Sequence, residues 1–330
     1  MIQREKFRRR LLSLAVSVYA GATLATTAAP ALAQDAYPHQ LVRMIIPFPP
    51  GGTLDTVGRA LAQKLGEQMG KPVVVENRPG GNATIGPVAV ARAPADGYTL
   101  LFNASTFLTG PMISNAVPYK IDKDFAPIAL VAKAPLSVAV NKSLPFTDIK
   151  GMVQYAKANP GKMSFAVGSI ASAGHLATEQ IKASTGIEAL IVPYKGTAPA
   201  FQDLIGGQID GFVDPVLGSL QYHKSGMLKV IATTAAKRLA VLPDVPTVAE
   251  TVPGFEFFSW YGLWAPAGTP AAVINRLNKE VNIALKTEAL TRYAEQGLVM
   301  EPQTVDAFAR FQKAETDKYQ KIVTTADIKL

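Results

Sequence analysis

Two glycine-rich turns hold the residues of this sequence that could do chemistry. The first, Pro47-Phe48-Pro49-Pro50-Gly51-Gly52-Thr53, follows the apolar run 42–46, and the second, Gly168-Ser169-Ile170-Ala171-Ser172-Ala173-Gly174, follows the run 163–167. A turn that leads from a strand into a helix exposes backbone N–H groups at the helix N-terminus, where an anion can bind. Neither turn brings a nucleophile, a base or a metal ligand with it. Two anion-holding turns without reaction machinery favour a receptor over an enzyme.

The first turn supplies the near side of the expected binding site. Its glycines let the backbone come close to a ligand, and Thr53 is a natural N-cap. A phosphate loop would need Gly-Lys-Ser/Thr and a dinucleotide site Gly-x-Gly-x-x-Gly, and the turn has neither. Asp55 falls in the first helical turn, where capping is favoured over ligand contact. The candidate contacts here are Phe48, Gly51, Gly52 and Thr53.

The second turn supplies candidate contacts for the far side, namely Ser169, Ala171 and Ser172. Ser172 is also a good N-cap, which places His175 in the first turn of the next helix. A Ser172–His175 hydrolase is the tempting alternative, but the Gly-x-Ser-x-Gly elbow and an orienting acid are missing. The apolar Ile170 and Ala171 favour an aromatic or alkyl ligand tail over a heavily hydroxylated one.

Further polar candidates follow other strand-like runs. Asp214 could cap the next helix or accept a hydrogen bond from the ligand, and Asn103 could supply side-chain donors to it. The full set of these candidates is Asn103, Ser105, Thr106, Tyr194 and Asp214. Asn103, Ser105 and Thr106 could equally be ordinary loop polarity.

The composition favours neither a metal site nor a nucleic-acid-binding surface. The histidines His39, His175 and His223 are far apart in sequence and there is no cysteine, so neither a zinc site nor another cofactor is expected. The formal net charge is +8, but no stretch clusters lysine and arginine with aromatics as a nucleic-acid surface would.

Short β-rich runs alternate with amphipathic helical patterns, and these elements must position the turns. Leu54, Val57, Leu61, Leu65 and Met69 recur at spacings of three and four, which predicts a helix closed by Gly70. The run 126–140 is long and apolar and could cross between domains, and Thr147 is expected to cap a helix that ends near 159–161. The tail from residue 271 is helical and should pack back on the first part. The alternation of β-rich runs with helical patterns predicts an α/β fold with mostly parallel sheets and flanking helices.

The N-terminus has the pattern of an export signal. Five basic residues precede an apolar stretch from Leu11 to about Ala28, and Ala31-Leu32-Ala33 satisfies the small-x-small cleavage rule. An uncleaved membrane anchor is the alternative. Removal of residues 1–33 would leave about 297 residues with a formal charge of about +4, and would place the protein in the periplasm.

Eight motifs, in order, cover nearly all of the mature chain, and on them the sequence resembles the Bug-type periplasmic solute-binding receptors of tripartite tricarboxylate transporters. Asp214-Pro215 departs from the Asp-Asn or Asp-Ser of many members, and the second turn has less Ser/Thr, so the departures concern distal specificity. The motifs are Pro47-Phe48-Pro49-Pro50-Gly51-Gly52-x-x-Asp55, Val74-Val75-Glu76-Asn77-Arg78-Pro79-Gly80, Ala95-Asp96-Gly97-Tyr98-Thr99-Leu100-Leu101, His175-Leu176-Ala177-x-Glu179, Val192-Pro193-Tyr194-Lys195-Gly196-x-x-Pro199-Ala200, Leu204-Ile205-Gly206-Gly207-Gln208, Leu242-Pro243-Asp244-Val245-Pro246-Thr247 and Trp260-Tyr261-Gly262-Leu263-x-Ala265-Pro266-Ala267-Gly268-Thr269-Pro270.

The resemblance implies a two-lobed type II periplasmic-binding-protein fold with two crossover strands. We expect lobe 1 to comprise residues 34–134 and 260–330, and lobe 2 residues 135–259. It also implies that the first glycine turn holds a ligand carboxylate, partly through water, while the opposite lobe reads the rest of the ligand.

The expected function is capture of a small carboxylate, either a dicarboxylate or an aromatic carboxylate, and its delivery to a membrane permease. A ligand sensor that signals to a membrane kinase is the alternative that the sequence does not separate from transport. A monomer without nucleic-acid partners is expected. The identity of the ligand and the roles of Asp55 and His175 stay open.

Overall fold

The computed structural model describes residues 37–330, so the expected export signal at residues 1–33 lies outside the described residues. Within this range the chain forms nine strands, β1 to β9, interleaved with eleven helices, α1 to α11. The strands are Val42–Ile46, Val73–Asn77, Thr99–Ala104, Phe125–Asn141, Met163–Val167, Ala189–Pro193, Gly211–Pro215, Leu228–Thr233 and Phe258–Pro266. The helices are Thr53–Met69, Ile85–Ala91, Thr106–Ile113, Ile121–Asp124, Ile149–Ala158, Ala173–Thr185, Thr197–Gly206, Val216–Lys224, Ala271–Ala284, Glu288–Ala294 and Val305–Thr325.

The strands form two groups that share β4. One group has the order β2-β1-β3-β9-β4, in which β1 runs parallel to both β2 and β3. The other has the order β8-β4-β7-β5-β6, in which β5 runs parallel to both β6 and β7. Antiparallel pairs that involve β4 and β9 lie between these parallel sets.

The long strand β4 joins the two groups, as expected for the apolar run 126–140. Residues 125–135 pair with β9, whereas residues 136–141 pair with β7 and β8. With β9 running beside it, this is the two-lobed α/β fold that the resemblance implies, with two crossover strands. The exact lobe boundaries stay a prediction.

Local sequence accounts for several helix ends. The stripe that includes Leu61 and Leu65 is buried, and α1 ends at Gly70, whose φ of 69° is left-handed and whose N–H donates to the carbonyl of Gly66. One expected cap is wrong. Asp148, not Thr147, caps α5, because its Oδ1 accepts from the N–H of Gly151 at 2.7 Å.

The C-terminal helices pack back on the first strand group, as predicted. Asn278 Nδ2 on α9 donates to the carbonyl of Ile128 on β4 at 2.8 Å, and Phe308 on α11 packs against Trp260 and Trp264 of β9. Both tryptophans are fully buried. Among residues 37–330 no helix is long and apolar enough to span a bilayer.

Candidate functional site

A cavity of about 90 Å³ lies where the carboxyl ends of β1, β3, β5, β6 and β7 meet. In open α/β sheets this is the edge at which ligands bind. One water needs about 10–15 Å³ on a comparable measure, so the cavity has room for a small molecule. Its lining is Phe48, Pro49, Pro50, Gly52, Thr53, Leu54, Asp55, Ala104, Thr106, Gly168, Ser169, Ser172, Ala173, Gly174, Gly196, Thr197, Ala198, Pro199, Asp214, Pro215, Ser259 and Tyr261.

The first turn is built differently from the sequence expectation. Gly52, in extended backbone, is the N-cap of α1, and Thr53 is the first helical residue, so the expectation that Thr53 caps this helix is wrong. Gly51 has a φ of 94°, which favours glycine. Its N–H donates to Asp55 Oδ2 at 3.1 Å, and Gly51 does not line the cavity. Residues 52–55 line the cavity, and the first N–H groups of a helix have no acceptor within it, so they are candidate donors to a ligand.

Asp55 fixes the shape of this turn. Arg59 Nε donates to its Oδ2 at 3.0 Å and Asn77 Nδ2 to its Oδ1 at 2.9 Å. Burial alone would raise the pKa of Asp55, but the hydrogen bonds from Arg59, Asn77 and Gly51 hold this pKa below its usual value. The carboxylate is therefore ionised and already satisfied by the protein, which makes it a positioning group.

The second turn holds itself together with the residues that a hydrolase would need. Ser172 caps α6, as predicted, by accepting from the N–H of His175 at 3.3 Å. His175 Nδ1 accepts from the N–H of Ala171 at 2.9 Å, and its Nε2 lies 3.8 Å from Glu179. Burial lowers the pKa of His175, which favours the neutral acceptor. The imidazole stabilises Ala171 at its left-handed φ of 57° and does not activate Ser172.

A third turn, which the sequence analysis did not select as a site, completes the cavity. Residues 196–199 open α7, and Gly196 has a φ of 112°. A Cβ on Gly52 would lie 3.0 Å from Thr197 Oγ1, so the first and third turns face each other closely. Three helix N-termini, those of α1, α6 and α7, therefore converge on one small space.

Hydrogen bonds across the rim hold the two sides of the cavity together. Asn82 Nδ2 donates to the carbonyl of Ile170 at 3.0 Å, and the N–H of Ile170 donates to Asn82 Oδ1 at 3.0 Å. Thr109 Oγ1 on α3 donates to the carbonyl of Ala171 at 2.9 Å. We call these three hydrogen bonds the closure contacts. They join the β2–α2 loop and α3 to the second turn.

Four buried oxygens in the lining have no hydrogen-bond partner among the described residues. They are Thr53 Oγ1, Ser169 Oγ, Asp214 Oδ2 and Tyr261 Oη. Buried polar groups in proteins are nearly always satisfied, so unpartnered groups that face one cavity indicate a ligand or bound water. No lysine, arginine or histidine occurs in the lining. An anion would therefore be held by neutral dipoles.

Asp214 supplies a carboxyl oxygen to this set, whereas the other three oxygens belong to hydroxyl groups. It does not cap α8, so the first of the two roles considered for it is wrong. A Cβ on Gly218 would lie 2.9 Å from Asp214 Oδ2 and 3.5 Å from Thr53 Oγ1, so the two oxygens adjoin one glycine. Burial raises the pKa of Asp214 well above its usual value. Burial, and then the nearby Asp214, raises the pKa of the Tyr261 phenol as well.

Some, but not all, of the site residues expected from sequence line the cavity. Those that line it are Phe48, Gly52, Thr53, Thr106, Ser169, Ser172 and Asp214, and those that do not are Gly51, Asn103, Ser105, Ala171 and Tyr194. Asn103 Oδ1 accepts from the N–H of Ala104, and Tyr194 Oη donates to Asp203 at 2.6 Å. Since neither Ile170 nor Ala171 faces the cavity, the sequence argument for an aromatic or alkyl tail loses its basis.

Tyr261 and Ser259 are functional candidates that sequence reasoning missed. Both lie on β9 and share one face, because side chains alternate along a strand. Trp260 between them points the other way and donates from Nε1 to Glu315 at 3.2 Å. The alternation was readable, but which face meets the cavity depends on the pairing of β9 with β3 and β4.

Comparison with known proteins gives the fold and site a family context. The model of the family described as tripartite tricarboxylate transporter family receptor matches residues 57–328. The solved periplasmic binding protein BugD is 35% identical, with a TM-score of 0.83 over 89% of this chain and 99% of its own. Rpa4515 of R. palustris, solved with adipate, is 34% identical, with a TM-score of 0.84 over 89% of this chain and 99% of its own. MatC of Rhodopseudomonas palustris, solved with bound malate, is 29% identical, with a TM-score of 0.81 over 87% of this chain and 100% of its own.

Proposed function

The chain belongs to the tripartite tricarboxylate transporter receptor family, whose members are binding receptors and not enzymes, and on that premise we propose that it captures a small carboxylate in the periplasm. Two lobes close around the ligand, and the closed receptor delivers it to the membrane permease of a tripartite tricarboxylate transporter. The ligand class we propose is a dicarboxylate or an aromatic carboxylate.

One observation carries this proposal, which is the small cavity lined by the N-termini of α1, α6 and α7. Its proposed contacts are Phe48, Gly52, Thr53, Thr106, Ser169, Ser172 and Asp214, together with Thr197 and Tyr261. The other residues expected from sequence, Gly51, Asn103, Ser105, Ala171 and Tyr194, are proposed to keep the turns and strand ends in place.

Magnitudes explain why the lobes must close. A helix N-terminus gives an anion about 0.3–1 kcal/mol, or about 2 kcal/mol when partly buried. Micromolar affinity requires about 8 kcal/mol. The rest must come from direct hydrogen bonds, apolar burial and exclusion of water, and closure of two lobes supplies all three.

A thermal-shift screen of carboxylates tests the ligand class. Adipate and malate, the ligands of the two solved relatives, are the first probes, with benzoate and nicotinate as aromatic carboxylates. Adipamide, the uncharged diamide of adipic acid, is the matched control. We expect a carboxylate to raise the melting temperature and adipamide to leave it unchanged. An equal shift with the diamide would remove the anion from the proposal.

Transport and sensing are separated in cells. If the receptor feeds a permease, deletion of its gene abolishes uptake of the radiolabelled carboxylate found in the screen. Normal uptake with a lost transcriptional response would favour the sensor role instead.

We also propose that residues 1–33 are removed on export, that the lobes comprise residues 34–134 with 260–330 and residues 135–259, and that the receptor is a monomer without nucleic-acid partners. The shared strand β4 supports the placement of the first lobe boundary. Intact-mass measurement of periplasmic protein checks the cleavage after Ala33, and light scattering checks the monomer.

A further inference from the structure

A carboxyl group stands in a cavity proposed to hold an anion. Asp214 is the last but one residue of β7 and is only 5% exposed, and its Oδ2 has no hydrogen-bond partner within residues 37–330. No lysine, arginine or histidine lines the cavity, and Arg59 forms an ion pair with Asp55. Nothing in the described lining therefore neutralises an ionised Asp214.

Two carboxylates that share one water-poor site do not both stay ionised, because their repulsion adds to the cost of burying each charge. A ligand carboxylate arrives ionised and can be satisfied by the helix N-termini. Asp214 has only the neutral hydroxyls of Thr53 and Tyr261 beside it, and neither makes a hydrogen bond to Oδ2. The proton is therefore placed on Asp214.

A protonated Asp214 changes from an acceptor into a donor. Its oxygen then joins the hydroxyls of Thr53 and Tyr261, which are also buried and lie close to each other. Asp214 Oδ2 and Thr53 Oγ1 adjoin the same glycine, Gly218. Three O–H groups from α1, β7 and β9 are thus available to a ligand carboxylate without any cationic side chain.

We propose that Asp214 takes up one proton from solvent when the lobes close on a carboxylate, donates it in a hydrogen bond to that carboxylate, and releases it when the lobes open. This inference rests on the proposed function. In an open cleft water solvates the ionised side chain, and closure removes that water. Ligand capture is therefore proton-coupled, and its affinity falls as pH rises.

Asp55, Tyr261 and His175 do not change protonation at the neutral to mildly alkaline pH of the test. Asp55 is held ionised by its hydrogen bonds, Tyr261 is held neutral by burial, and the lowered pKa of His175 moves its protonation to acid pH. Glu179 and Lys182, which lie beside His175 on α6, form an ion pair of 2.8 Å. Between about pH 7 and 9 a dicarboxylate is also fully ionised.

Calorimetry on the mature protein tests the coupling, with adipate and malate as probes at pH 7, 8 and 9. Titrations in buffers of different ionisation enthalpy measure the protons exchanged. We expect uptake that approaches one proton per ligand and a Kd that rises up to about tenfold per pH unit. Asp214→Asn is expected to abolish both effects and to bind more tightly than the wild type at pH 9. Asp317→Asn, which removes the same charge from a surface site, keeps the wild-type pH dependence.

Each outcome decides the inference. A Kd that is independent of pH in the wild type overturns it. Loss of malate binding by Asp214→Asn at every pH also overturns it, because an ionised Asp214 would then be accepting from the malate hydroxyl. If Asp214→Asn does not fold, proton uptake by the wild type decides alone. Failure of every carboxylate to bind would instead refute the proposed function, and this inference with it.

Discussion

Removal of the Asn82 side chain should weaken ligand binding although Asn82 does not line the cavity. Asn82 makes two of the three closure contacts, both with the backbone of Ile170. These hydrogen bonds exist only when the two sides of the cavity meet. Their loss lowers the population of the closed form, and the apparent affinity falls in proportion to that population.

The size of the effect follows from the two hydrogen bonds. Each contributes a net ~0.5–1.5 kcal/mol, so the closed form loses ~1–3 kcal/mol. This corresponds to a ~5- to 150-fold rise in Kd. Asn82→Gly is the suitable variant, because Asn82 has a φ of 50°, which glycine adopts without strain. If the ligand-free lobes are open, as the proposed function requires, these bonds are absent there, and the melting temperature without ligand should hardly change.

The matched control is the neighbouring Ala83→Gly. Ala83 has a φ of 66° and makes no side-chain hydrogen bond, so this variant adds a glycine to the same loop without removing a closure contact. Calorimetry with the best carboxylate of the screen gives the Kd, and small-angle scattering with and without ligand reports closure. Equal affinities for Asn82→Gly and the wild type, or equal losses for both glycine variants, would refute the reasoning.

Two further predictions concern glycines. Gly52→Val should fold, since Gly52 is extended, but its side chain would meet Thr197 across the cavity and weaken binding ~5- to 150-fold, which calorimetry measures. Unchanged affinity would count against the first turn as the anion site. Gly174→Ala should destabilise the fold by ~1–3 kcal/mol or more, because its Cβ would lie 1.9 Å from the carbonyl oxygen of Val213. Urea unfolding measures this, with Gly206→Ala as the control. A Cβ at Gly206 meets nothing within 4 Å, so that variant should be neutral or stabilising. Similar losses of stability for the two variants would contradict the packing argument.

Regular elements were predictable from sequence because their physics is local. The strand β1 has the predicted bounds, 42–46, and the stripe from Leu54 to Met69 is the buried face of α1. The long apolar run 126–140 correctly indicated the crossover β4. In each case the pattern of apolar residues alone decides which face is buried.

Helix caps were less predictable because neighbouring residues compete for one position. Thr53 and Gly52 are both acceptable N-caps, and the structure uses Gly52. The outcome depends on Asp55, which draws the Gly51 N–H back toward the helix and sets the direction of the turn. The consequence is functional, since Thr53 Oγ1 is left unpartnered in the cavity.

The rest of the site could not be predicted because it depends on contacts between distant segments. From the segment before the third turn the sequence predicted only Tyr194, which donates to Asp203 and does not line the cavity. Gly196 and Thr197 face the first turn only because the two sides meet. Tyr261 likewise reaches the cavity through the register of β9, in which it pairs with Ala104 and Ala132.

The closure contacts and Asp214 both affect closure of the lobes, but only Asp214 is proposed to exchange a proton. Their effects on Kd can therefore be separated by the pH dependence. Asn82→Gly weakens closure equally at every pH, so its Kd should be displaced from that of the wild type by a constant factor with the same pH slope. Asp214→Asn keeps the closure contacts and loses the slope. Because the two residues share no hydrogen-bond partner, the double variant should show the sum of both free-energy changes. A pH slope that disappears in Asn82→Gly alone would mean that the proton binds at the rim and not at Asp214.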